Sequence, residues 1–276
     1  MKRSSRVRVC ATTTVGVLAL ALITGCGGGN SGESGGSGAS ATTQAGKTAK
    51  AATGAELEKL LVTTADVVGY KVAPLTAEAE AEEKAADSKS DLRIADKACA
   101  PIAYAVSGFA PGDEAAVVQR KVTQDAKTPA DAASGSTDDL SDAEWQASFA
   151  ESMNIDITFL TLSSYDGDGA EKTMKAVSDA VAGCAGGFSI SGGTDKTTYS
   201  KIAPVKTSGA GDEAVAFSAA GEPEESDGAT GFTYGEVVRY GNTIAAYTTV
   251  NLSKVVSGKP YAVSAPVVKA QSAKLK

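Results

Sequence analysis

The chain has 276 residues, of which 42% are apolar, with 26 basic against 33 acidic side chains and a formal charge of −7. Alanine alone supplies 50 residues and the aromatics only 15, so any core is modest, while the length admits one domain of about 200 residues or two smaller ones. Histidine is absent, which removes the usual general base, the imidazole partner of a Ser or Cys nucleophile and the commonest transition-metal ligand.

Lys2, Arg3, Arg6 and Arg8 precede an uncharged run from Val15 to Ile23, the pattern of a secretory signal. Nine apolar residues are fewer than half of the ~20 that span a bilayer. The run ends in Leu22-Ile23-Thr24-Gly25-Cys26, which resembles the lipobox of bacterial lipoproteins. That resemblance implies cleavage before Cys26, diacylglycerol on its sulfur and a further acyl group, such as palmitate, on its amine. The plainer alternative is an ordinary signal peptide cut nearby, with Cys26 a loose thiol. Loss of residues 1–25 removes four bases and no acid, so the charge moves from −7 to −11. Such a field repels nucleic acid and anionic headgroups. The membrane is therefore a partner through acyl chains only, and nucleic acid is excluded.

Residues 27–52 hold no aromatic and no large aliphatic side chain. A Gly/Ser-rich chain of that length has a root-mean-square span of roughly 25–30 Å, that of a tether. The expected organisation is a signal peptide at 1–25, lipidated Cys26 with its tether at 26–53, and an extracytoplasmic domain at 54–276 on the outer face of the cytoplasmic membrane.

Thr53-Gly54-Ala55-Glu56 has the form of a capping box, with Leu57, Leu60 and Leu61 on one face behind it. Thr64 is placed to cap a short turn that Gly69 ends before extended Tyr70 to Val72. Thr76 to Asp91 carries six acids and two lysines among alanines, a solvated helix or loop. Pro101 suits the first turn of a helix running to about Ser107. From Gln124 to Leu140 almost nothing is apolar, so a long loop is expected there, either a lid or a disordered segment. Ser141-Asp142-Ala143-Glu144 is another capping box, and Ile155 to Phe159 alternates like a half-buried strand.

Ala170, Met174, Val177, Val181 and Cys184 recur at spacings of 4, 3, 4 and 3, the buried stripe of a helix. Strands are expected at Tyr199 to Val205 and Glu213 to Ala219. The clearest hairpin runs from Phe232 to Arg239 and from Ile244 to Leu252 about Gly241-Asn242. That loop pairs Tyr240 with Thr243, Val238 with Ala245 and Glu236 with Tyr247. Tyr234, Glu236, Val238 and Tyr240 then share one face, and Val237, Arg239, Ile244 and Val250 the other. With apolar residues on both, the hairpin belongs in the middle of its sheet. A closing helix from about Ser264 to Leu275 presents Val268, Gln271 and Leu275 on one side.

With Cys10 in the signal peptide and Cys26 lipidated, Cys99 and Cys184 remain, and two thiols in an oxidising compartment pair. Reduced redox thiols are the alternative, for which the CxxC spacing is missing. No GxSxG, SxxK, GxxxxGK[ST] or HExxH motif occurs, so no enzyme activity, cofactor or metal is expected. Asp166-Gly167-Asp168-Gly169 is only superficially a calcium loop, since Val177 stands where a bidentate Glu is required; Asp168 is better placed as a helix N-cap. The acidic stretch Glu222 to Asp227 is expected to be a solvated loop. Glu236, set among Tyr234 and Tyr247, and Arg239 on the opposite face are the candidate ligand-binding residues.

Asp66-Val67-Val68-Gly69-Tyr70, the Cys-x-Pro at Cys99, Ser-Tyr at Tyr165, the helix closing on Cys184, Gly211-Asp212-Glu213-Ala214 and Val238-Arg239-Tyr240-Gly241-Asn242 together resemble actinobacterial sensor-domain lipoproteins. These are related to the extracytoplasmic domain of certain membrane Ser/Thr protein kinases, although this chain has one possible disulfide where that domain has two. The resemblance implies an α+β fold, an antiparallel sheet packed with helices as a two-layer sandwich, and a cleft for a ligand; the cysteine count adds one disulfide to that expectation. The expected role is a non-catalytic sensor-like domain for a small molecule, cell-wall fragment or envelope protein. A carrier of a hydrophobic ligand and a structural interaction module are the alternatives.

Overall fold

The computed structural model describes residues 49–75, 88–126, 141, 145, 151–192, 195–221 and 230–276. The expected loop from Gln124 to Leu140, the box at Ser141 to Glu144 and the acidic stretch at Glu222 to Asp227 lie outside these residues wholly or in most of their length. In chain order the elements are α1 (Gly54–Leu60), β1 (Tyr70–Pro74), β2 (Arg93–Ile94), α2 (Ala100–Val106), β3 (Ala116–Gln124), β4 (Asp156–Ser164), α3 (Gly169–Gly183), β5 (Phe188–Gly192), β6 (Asp195–Pro204), β7 (Glu213–Gly221), β8 (Gly231–Tyr240), β9 (Thr243–Asn251), α4 (Leu252–Ser257) and α5 (Ala265–Leu275).

The strands form one nine-stranded sheet in the order β1-β3-β4-β9-β8-β7-β6-β5-β2, and every neighbouring pair is antiparallel. Its middle is the β8–β9 hairpin, in the register that the Gly241-Asn242 loop dictates: Tyr240 opposite Thr243, Val238 opposite Ala245, Glu236 opposite Tyr247. Alternation along these strands sends Val237, Ile244 and Ala246 to one core, with Phe217 and Ala219 of β7. It sends Val238, Ala245 and Tyr247 to the other, with Leu160 and Leu162 of β4.

Each face is covered by its own helices. Met174, Val177 and Val181 of α3 and Ile102 and Ala103 of α2 close the first core; Leu57 of α1 and Val267 and Val268 of α5 close the second. The α+β class therefore holds, but the sheet carries helices on both sides where two layers were expected. The reason is the hairpin itself: strands apolar on both faces leave apolar surface in water unless both are covered.

The ends of the helices are fixed by their caps. At α1, Thr53 Oγ1 accepts from the Glu56 amide at 3.3 Å while Glu56 Oε2 accepts from the Thr53 amide at 2.8 Å. A second box sits one residue ahead of the expected Thr64 cap: Asp66 Oδ2 accepts from the Thr63 amide at 2.7 Å. The same carboxylate accepts from Lys274 Nζ at 2.9 Å, and the Lys274 ammonium, with the two Thr63 bonds, holds its pKa near 2. Gln271 of α5 is fully buried, its Oε1 accepting from the Val62 amide at 3.0 Å and its Nε2 donating to the Leu60 carbonyl at 2.7 Å. These bonds tie α5 to the chain leaving α1, where the last helical carbonyls have no partner within the helix.

Cys99 and Cys184 form a disulfide with their Cα atoms 5.9 Å apart. Both are buried in the first core, at the start of α2 and the end of α3, so the bridge staples the two helices of one face together. Asp168 takes the N-cap position of α3, but its side chain makes no capping hydrogen bond; the carboxylate instead lies 2.8 Å from Lys172.

Candidate functional site

The site is built toward the turn end of the hairpin, on the face covered by α1 and α5. Glu236, Val238 and Tyr240 project from β8 to this side, and Tyr247 projects from β9 opposite Glu236. Ser272 of α5 completes the group. Its hydroxyl donates to the Val268 carbonyl at 2.7 Å, so its lone pairs are left to accept from the Tyr240 hydroxyl at 2.6 Å.

Glu236 is 3% exposed. Its Oε1 accepts from both the amide and the hydroxyl of Ser208, each at 2.7 Å, and Ser208 Oγ in turn accepts from the Ala210 amide at 3.2 Å. One buried carboxylate oxygen thus organises the loop between β6 and β7. The loop continues through Gly211 at φ +67°, where a Cβ would meet the Arg239 carbonyl and lie 2.5 Å from Val238 Cγ1; only glycine fits there. Asp212 then donates its amide to the Arg239 carbonyl at 2.8 Å and accepts from the Gly241 amide at 2.7 Å.

Tyr247 is the unusual member. It is 1% exposed, and its hydroxyl reaches no partner at hydrogen-bonding geometry. The nearby Tyr240 and Ser272 hydroxyls are engaged with each other. Burial pushes the Tyr247 phenol well above its ordinary value, and the neighbouring Tyr240 and Glu236 push it further; burial also raises Tyr240. Both phenols therefore stay protonated as donors beside a carboxylate. In front of this group opens a surface cleft of about 280 Å³, bounded by the loop 209–212, Tyr240 and Gly241 of the hairpin, and Leu275 and Lys276 at the end of α5.

Of the four residues singled out in the sequence, Glu236 and Tyr247 come together and the other two do not join them. Tyr234 is the next residue from Glu236 on that face, but its ring packs against Tyr261 at 4.4 Å, and it lies six residues along β8 from Tyr240, about 20 Å from the end that bounds the cleft. Arg239 points to the opposite face. There its guanidinium lies 3.5 Å from both Asp212 and Glu213 and donates to the Gly241 carbonyl at 3.2 Å; its Nε is buried with no hydrogen-bond partner. Ser208, Tyr240 and Ser272 were missed as site residues. Tyr240 was legible on the Glu236 face of the hairpin; nothing local marks Ser208 or Ser272, which arrive from elements distant in sequence.

Among the described residues no cluster of three or more Cys, Asp or Glu side chains is placed to hold a metal ion. None of their helices is long and apolar enough to cross a membrane.

No protein-family model and no curated protein matches the chain. Among solved structures, it is similar to the crystal structure of the extracellular domain of PknH from Mycobacterium tuberculosis, with 12% sequence identity and a TM-score of 0.45. That match covers 80% of this chain and 97% of the other. A likeness at this level carries no argument about fold or activity.

Proposed function

We propose that this chain is a lipid-anchored extracytoplasmic protein whose domain binds a small polar ligand, without turning it over, in the cleft at the turn end of the β8–β9 hairpin. The basic N-terminus, the short apolar run and the Cys26 motif support the anchoring. The observation that carries the binding is the buried hydroxyl of Tyr247, which lies near the Tyr240 and Ser272 hydroxyls but has no partner at hydrogen-bonding geometry, beside Glu236 behind that cleft. An unsatisfied buried hydroxyl costs about 1–3 kcal/mol, and perturbed, unsatisfied groups next to a concavity concentrate at functional sites. The loop 208–212, clasped to Glu236 through Ser208, is the wall whose displacement brings the carboxylate and the phenols into the cleft.

The size and lining of the cleft favour this reading over a carrier of hydrophobic ligands. At about 280 Å³, with Leu275 the one large aliphatic in its wall, it lies just below the range of about 300–1,000 Å³ for drug-sized ligands. A fragment of a sugar, peptide or metabolite fits that space better than an acyl chain.

The test is native mass spectrometry of the protein recovered from its own cell envelope. The expected result is a retained small adduct on the wild-type chain and on Tyr234→Phe, whose ring lies away from the cleft, with loss of the adduct from Glu236→Gln. No adduct on the wild type, or equal retention by Glu236→Gln, overturns the proposal.

A further inference from the structure

The four residues ahead of the α1 cap are held along their whole length. The Ala49 carbonyl accepts from the Gly167 amide at 2.8 Å, and the Lys50 carbonyl from Asn242 Nδ2 at 2.8 Å. The Ala51 amide donates to Asp166 Oδ1 at 2.9 Å and the Ala52 amide to Ser164 Oγ at 2.9 Å. The partners come from two corners of the fold, the end of β4 with the turn that leads to α3 and the turn between β8 and β9. These turns are tied to each other, since the Tyr165 amide donates to the Asn242 carbonyl at 3.0 Å and Asn242 Nδ2 also reaches the Tyr165 carbonyl at 3.3 Å.

Asn242 adjoins Gly241, which forms part of the cleft wall. Gly241 is fixed by Asp212 of the cleft wall, which accepts from its amide, and from the opposite face by Arg239, which donates to its carbonyl. The chain running back toward Cys26 and the cleft wall therefore share one two-residue turn. We infer that residues 49–52 are a latch coupling the tether to the ligand cleft, so that displacing the hairpin turn loosens both and seating either one steadies the other. The coupling is reciprocal because it is a free energy shared between two equilibria. Its meaning for function rests on the reading of the cleft as the ligand site, while the latch itself stands on the four hydrogen bonds.

Tryptic cleavage after Lys50 in the full, natively folded chain reports the latch, because the protease needs that backbone detached. Cleavage after Lys172 in α3 serves as the reference for unfolding of the whole domain. Relative to it, Asn242→Ala is expected to speed cleavage after Lys50 roughly three- to tenfold, the factor for loss of one or two neutral hydrogen bonds. Asp212→Ala, which removes the bond to Gly241 and leaves the four latch bonds in place, is expected to speed it at least about twofold through the same arithmetic. A wild-type rate for Asn242→Ala overturns the latch; acceleration by Asn242→Ala with a wild-type rate for Asp212→Ala overturns the coupling. Neither outcome depends on a bound ligand, so failure here is distinct from failure of adduct retention by Glu236→Gln.

Discussion

Replacing Cys99 and Cys184 together by Ser is expected to lower the stability of the domain by about 4 kcal/mol, the largest effect of any change proposed here. The bridge closes a loop with a sequence separation of 85, and the chain-entropy relation gives about 4.5 kcal/mol for a loop of that length, against about 2–5 kcal/mol on removing native disulfides. The cost falls on a core in which alanine replaces larger side chains at Ala103, Ala105, Ala170, Ala180, Ala219 and Ala246, so little apolar burial is held in reserve. For a domain of this size about 4 kcal/mol corresponds to a fall in Tm of roughly 10 °C or more. Thermal unfolding with and without reductant checks it: the wild type in reductant and the double variant should melt together, well below the oxidised wild type. A double variant melting within about 2 °C of the oxidised protein would mean that the bridge constrains little.

The second large effect is expected from Gln271→Leu. The leucine fits the volume but makes neither bond, so the Val62 amide, in a residue 1% exposed, is left without its partner, and the Leu60 carbonyl loses its donor at the end of α1. At about 1–3 kcal/mol for each buried group left unsatisfied, a loss of roughly 3 kcal/mol is expected, read as a lower urea midpoint at unchanged m-value. Because α5 is also tied to the short turn at Thr64–Asp66 by Lys274 and Asp66, it should remain helical and loosen as a unit. A change below about 0.5 kcal/mol would show that water replaces both bonds, as at an exposed site.

The hairpin was legible because a two-residue loop fixes register completely: once Gly241-Asn242 is the turn, every cross-strand pair follows, and the structure has those pairs. The α3 stripe was legible for the same kind of reason, since five residues at 4, 3, 4, 3 spacing leave one way to bury them; all five are buried. Strand β3 was not. It reads Ala-Val-Val-Gln-Arg-Lys-Val-Thr-Gln, with three long polar side chains at its centre. Those side chains are satisfied by groups from elsewhere, as when Arg120 pairs with Glu58 of α1 and Gln119 reaches Thr161 of β4. Gln124, expected to open a loop, is the last residue of that strand and accepts from the Asp156 amide at 3.2 Å. The two-residue strand β2 also lacks a signal of its own, because so short a strand is specified only by the neighbour it pairs with.

The same division runs through the candidate site. Glu236 and Tyr247 face each other across the hairpin, a local relation that the turn dictates. Ser208 and Ser272 come from a loop and a helix positioned by the tertiary fold, so their roles follow only from the structure. Arg239 and Glu236 are three residues apart on one strand, and a period of two sends them to opposite faces.

The most direct test of the account is the intact mass of the protein isolated from the membrane fraction of its native cells. The account predicts a chain beginning at Cys26, heavier than residues 26–276 by a diacylglycerol and a further acyl group, and loss of that species from Cys26→Ser. Recovery of the unprocessed chain from Met1, without acyl groups and in the cytosolic fraction, would contradict it.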